Sequence, residues 1–91
     1  MFIRGETVIS TAGRDKTEFL VVVAADETQV FVCNGKDRPL QNPKRKNPRH
    51  LASAGAALTE SDMRSDKALR RALAIVKTNF FQRSVVDVQT G

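Results

Sequence analysis

Apolar residues in the first half of the chain fall in short runs separated by charged or glycine-containing gaps. "ETVIS" is a brief run centred on Val8 and Ile9. "FLVVVAA" is continuous and rich in valine, the pattern of a central strand buried well on at least one side. "QVFVC" is another such run, and it is followed by Asn34-Gly35, residues that take positive φ cheaply and suit a tight hairpin turn. "KDRPL" is then expected as the return strand. Short strands at turn-length gaps predict a mainly β fold, a small antiparallel barrel or sheet. Gly5, Gly13, Asn34 and Gly35 are expected to shape turns rather than to face a ligand.

The pattern breaks at "NPKRKNPRHL", from Asn42 to Leu51. Pro43 and Pro48 lack N–H donors and push Asn42 and Asn47 toward extended geometry, so this stretch reads as an extended arm or an edge strand. "ASAGAAL" reads as a small-residue linker. The last third changes period. "SDKALRRALAIVKTNF" places Leu69, Leu73, Val76 and Phe80 on one helical stripe, with Ala72 beside it. Ser65 suits the N-cap, and Asp66 suits the positive end of the helix dipole. The expected organisation is a β-module over 1–52 with a basic arm at 36–50, a linker over 53–64, a helix over 65–79, and a tail or short strand over 80–91.

With 91 residues, the chain is expected to form one domain, or one domain with an appendage, with a small core. Cys33 is alone, so it offers neither an internal disulfide nor a metal-ligand set, and a reducing compartment, the cytoplasm, is expected. No apolar run approaches the roughly 20 residues of a membrane span. The start "MFIRGETVIS" lacks the apolar core of a signal peptide, so neither a membrane nor export is expected. The acids fall on predicted turns and helix starts, beside a single His50 and no Gly-rich phosphate loop. No nucleophile–base pair is recognisable, so no catalysis, cofactor or metal is expected.

Charge changes the picture most. The formal net charge is +5. Between Lys36 and His50 stand Lys36, Arg38, Lys44, Arg45, Lys46 and Arg49, against Asp37 as the one acid. Such a field attracts polyanions. In an extended chain alternate side chains share a face, so Lys44 and Lys46 would lie about 6.6 Å apart on one side, with Arg45 and Asn47 on the other. That step is close to the spacing of phosphates along a nucleic-acid strand, and arginine can hold a phosphate by two parallel hydrogen bonds. Trp and Tyr are absent, and Phe19, Phe31 and Phe80 fall on core positions by pattern. Backbone recognition of structured RNA is therefore expected over base stacking, with Phe2 or Phe81 free at most for a single base.

The stretch "GETVISTAGRDKTEFLVVV" resembles the KOW motif of ribosomal proteins and transcription elongation factors. "VFVCNGKDRPL" followed by "PKRKNPRHL" extends the likeness to the L14e-type large-subunit ribosomal proteins, especially their small bacterial relatives. The resemblance covers Gly5 to Leu51. It implies an SH3-like barrel of about five strands that binds RNA, often ribosomal RNA. The chain departs from the motif at Thr17, where glycine is usual, and a positive φ there would be strained. The resulting expectation is a ribosome-associated or ribosome-assembly RNA-binding protein, with ribosomal proteins as further partners. Its contacts would be Arg14, Lys16, Lys36, Arg38, Lys44, Arg45, Lys46 and Arg49. The alternative is a protein-interaction adaptor that uses the barrel groove or the apolar helix stripe.

Overall fold

The computed structural model describes residues 1–90, with side chains described for residues 1–83. The strands are β1 (Glu6–Ser10), β2 (Phe19–Ala25), β3 (Val30–Cys33), β4 (Lys44–Lys46) and β5 (Leu51–Ala57), and helix α1 (Asp66–Thr90) follows. Single 3-10 turns at Pro48–His50 and Ser61–Met63 precede β5's start and α1's start respectively. The strands form one five-stranded sheet in the order β4-β3-β2-β1-β5, with every neighbouring pair antiparallel.

The valine run explains the centre of this sheet. β2 lies between β1 and β3, and alternate residues feed two separate cores. Phe19 and Val21 join Cys33, Ala54 and Met63 beneath Leu69, Leu73 and Val76 of α1. Leu20 and Val22 join Val8, Val30, Val32 and Leu51 on the opposite face. A strand covered on both faces needs no polar alternation, and this one has none. The second core brings residues of β3 and β5 together although two strands separate them in the sheet, so the sheet is coiled around it. Register shifts between Glu6 and Val8 against β5, and between Val22 and Ala24 against β3, are bulges of the kind that sharpen strand twist. Buried Gly5 closes one end: its N–H donates to Val22 O at 2.8 Å, and its O accepts from Leu58 N at 2.7 Å. At its φ of +95° a Cβ would lie 2.8 Å from Leu58 O, so only glycine fits.

The apolar stripe of α1 packs on the sheet as its period predicts. Leu69 is wholly buried, and Ala72, Leu73 and Val76 are nearly so. Phe80 meets Phe19 edge-on, with centroids 5.5 Å apart. The Ser65 hydroxyl accepts from Ala68 N at 3.1 Å, the expected N-cap.

Three expected boundaries are corrected. The 53–64 linker is strand β5 as far as Ala57. Its residues have little β propensity of their own, and pairing with β1 imposes the strand, with Ser10 opposite Leu51 and Val8 opposite Ser53. "KDRPL" is a bend, and the strand that returns to β3 is β4. Asn34 shapes this bend through its side chain rather than through positive φ. Its Oδ1 accepts from Lys36 N at 2.8 Å and Arg38 N at 3.1 Å, while Gly35 takes the φ of +81°. Finally, α1 continues through most of the 80–91 segment to Thr90, and Gly91 lies outside the described residues. Once nucleated, a helix gains one hydrogen bond per added residue, which outweighs the strand-like look of "SVVDV".

Candidate nucleic-acid interface

Lys44 and Lys46 do share one side of β4, and Arg45 takes the other, as an extended chain requires. The register decides what each side meets. Lys44 pairs with Val32 and Lys46 with Val30, both residues of the inner core, whereas Arg45 pairs with half-exposed Phe31. Cross-strand partners point to the same face of a sheet. Lys44 and Lys46 are therefore drawn toward the inside of the coiled sheet, and a buried ammonium needs a counter-charge.

Asp15 supplies it. Its side chain is 4% exposed and collects Lys44 Nζ at 3.1 Å, Arg38 Nη2 at 3.5 Å and Lys46 Nζ at 3.7 Å. Lys46 is itself buried and also donates to Ser10 Oγ at 2.7 Å and Ala12 O at 3.0 Å. Burial would raise the Asp15 carboxyl above its ordinary range, but Lys44 first, then Arg38 and Lys46, outweigh it and hold the group below that range. One carboxylate so ties the 11–18 turn to β4 and to the bend after β3. Of the residues expected to contact RNA, Arg38, Lys44 and Lys46 are thus turned onto the protein's own acid.

The others face out. Arg14 and Lys16 are exposed on the two sides of Asp15, as are Lys36 on the bend, Arg45 on β4 and Arg49 on the 3-10 turn. None of these five takes part in an ion pair among the described residues; Arg45 reaches only Gln29 Oε1, at 3.4 Å. Their segments adjoin. Thr11 N donates to His50 O at 2.9 Å, which seats the Arg14/Lys16 turn beside the turn that carries Arg49. The Asp15–Arg38 contact seats the same turn beside the bend with Lys36.

The backbone of that turn is strained. Thr17 has φ +75°, the positive value that its departure from the motif raised. Its N–H donates to Ser10 O at 2.8 Å and Glu18 N–H donates to Asp15 O at 2.8 Å, so the closing hydrogen bonds hold a conformation disfavoured for a β-branched residue. Gly13 takes φ +78° in the same turn.

Two parts of the surface escape the pattern of the basic segment. Helix α1 also presents Lys67, Arg70, Arg71 and Lys77 to solvent. Arg70 and Lys77 stand two turns apart on one face and approach Lys36; their spacing is readable from the sequence once the helix is drawn. Arg4 makes a two-point pair with Glu60, Nε to Oε2 and Nη2 to Oε1 both at 2.8 Å, and also donates to Val23 O at 2.9 Å. This pairing spans sequence positions too distant for local pattern to reveal, and being exposed it adds little stability. Cys33 is fully buried, its thiol pushed up to about 11 mainly by burial, which makes it a core residue rather than a nucleophile.

No family model matches the chain, and no curated protein matches it significantly. No helix among the described residues is long and apolar enough to cross a membrane.

Proposed function

We propose that this chain is a non-catalytic RNA-binding module that holds the phosphate backbone of structured RNA, ribosomal RNA above all, in the manner of KOW proteins. What carries this reading is the division of its basic residues. Asp15 draws the inward cations Arg38, Lys44 and Lys46 together and offsets part of their charge, while Arg14, Lys16, Lys36, Arg45 and Arg49 stand exposed on adjoining segments without a carboxylate partner among the described residues. A surface of this kind gives up its counterions when phosphates replace them, which drives binding without sequence readout. Exposed aromatic surface is scarce: Phe19 is buried, Phe2, Phe31 and Phe80 are partly buried, and Phe81 is 53% exposed. Shape and charge, the determinants of duplex RNA recognition, fit such a surface better than the stacking of a long single strand.

The strand order and the 3-10 turn between β4 and β5 support reading the coiled sheet as an SH3-like barrel. The adaptor alternative loses one of its two surfaces, because Leu69, Leu73 and Val76 are spent on the protein's own core. Crosslinking in cells followed by RNA sequencing tests the proposal. We expect enrichment of ribosomal RNA; recovery of protein partners with no RNA would overturn it.

A further inference from the structure

A cleft of about 220 Å³ opens where α1 passes the bend after β3, with Glu18, Phe19, Lys36, Arg70, Leu73 and Lys77 among its lining residues. Its floor is firm, since Phe19 and Leu73 are 6% and 5% exposed and already packed in the core. Arg70 on its wall is fixed in place: Nη1 donates to Gly35 O at 2.7 Å. That position depends on glycine, because a Cβ on Gly35 would lie 3.0 Å from Arg70 Cγ and 2.6 Å from Asp66 O. Lys36 and Lys77 are exposed, and the ion pairs formed among the described residues include neither. Glu18 is exposed and is the acid of the lining. The Asn34 amide, also in the lining, is committed to Lys36 N, Arg38 N and the Asp37 carboxylate.

We propose that this cleft receives one unpaired nucleotide of a structured RNA, with Lys36 and Lys77 on its phosphate and its base against Phe19, Leu73 and the Arg70 guanidinium. This rests on the RNA-binding reading and deepens it. The volume is below the roughly 300–1,000 Å³ of sites for drug-sized ligands, so there is room for a single ring. Guanidinium planes stack on unpaired bases as aromatic rings do, and one already held by a backbone carbonyl loses little freedom on binding. Three cations around an apolar floor match a group that is flat and apolar at one end and anionic at the other. Glu18 adds a preference. A carboxylate accepts hydrogen bonds and donates none, so it favours adenine, whose exocyclic amino group offers two N–H donors, over uracil, whose single N3–H is flanked by two carbonyl oxygens that repel it.

Fluorescence anisotropy with the full chain tests this, using a fully paired RNA hairpin, the same hairpin with one bulged adenosine, and one with a bulged uridine. We expect the adenosine bulge to bind roughly five- to tenfold tighter than the paired hairpin, with uridine between them. Lys36→Glu with Lys77→Glu should erase that advantage on top of a general loss, since Lys36 is also one of the outward cations, whereas Arg45→Glu should weaken all the RNAs alike and keep the advantage. Backbone amide spectra of the unaltered chain give a second readout, in which Glu18, Lys36 and Lys77 shift with the bulged RNA and not with the paired one. Equal affinity for paired and bulged hairpins would overturn the cleft proposal and leave backbone binding standing. Failure to bind any of these RNAs would overturn both. Adenosine monophosphate binding as tightly as the bulged hairpin would assign the cleft to free nucleotides and overturn the commitment to RNA.

Discussion

The inward and outward cations of the basic segment share residue type and neighbourhood, yet they do different work. Lys44 and Lys46 flank Arg45 on the same short strand. The lysines lie on the face of the inner core and end on Asp15, while Arg45 lies on the face of Phe31 and ends in solvent. The 11–18 turn repeats the division, with Asp15 buried between exposed Arg14 and Lys16. Charge density along a sequence therefore overstates the charge that a partner can meet. What matters is which positive groups remain after the fold has met its own needs.

Removing the Asp15 carboxylate should have the largest effect. Asp15→Asn leaves Arg38, Lys44 and Lys46 facing one another around a neutral amide, with Lys46 buried. Losing one partner of a buried ion cluster costs about 3–5 kcal/mol, and we expect a loss at the low end because Arg38 and Lys44 are partly exposed. Urea unfolding measures it. Adding Lys46→Met should restore part of the loss, and strictly additive effects would show that the two side chains are not coupled. The same cluster contributes to the acid limit, alongside Asp26 and Glu60, whose carboxyls are also held low. Because the folded-state Asp15 carboxyl lies below its ordinary 3.8, the unfolded chain binds more protons between the two values. The stabilisation is complete above the ordinary value and fades as pH falls below it. Asp15→Asn should therefore flatten the acid limb of a stability–pH curve.

The outward set should behave in the opposite way. Reversing Arg14, Lys16, Arg45 and Arg49 to Glu should reduce affinity for structured RNA by a factor of roughly 100 or more, since the variant repels phosphates as well as losing contacts. Unfolding free energy should change by no more than about 0.5 kcal/mol per site, as is usual for exposed positions. A large stability loss with unchanged affinity would invert the assignment of roles. The smallest expected effect is Thr17→Gly. A non-glycine residue in the left-handed region costs about 1–2 kcal/mol, and glycine's greater freedom when unfolded offsets part of the relief. We expect a net gain of about 0.5 kcal/mol, seen as a rise of about 2–4 °C in Tm.

Much of the fold was legible where side chains announce their surroundings. β1, β2 and β3 follow the β-branched runs, β4 follows the prolines that forbid a helix, and α1 follows its Leu69–Leu73–Val76 stripe and Ser65 cap. β5 was not legible, because Ala52 to Ala57 have no local reason to be extended and become a strand by pairing with β1. The candidate site divided in the same way. Alternation correctly grouped Lys44 with Lys46 and set Arg45 apart, but which face was the interior depended on the register with β3 and on an aspartate far away in sequence. A lone acid between Arg14 and Lys16 was the available sign that the basic surface carries an internal counter-charge.

If the outward cations meet phosphates, salt must compete with RNA for them. The decisive measurement is the affinity for a structured RNA hairpin across a salt series, as log K plotted against log salt concentration. With Arg14, Lys16, Lys36, Arg45 and Arg49 engaged, we expect a slope of roughly −3.5 to −4.5. A slope near zero, with affinity unchanged by charge reversal of those residues, would contradict it.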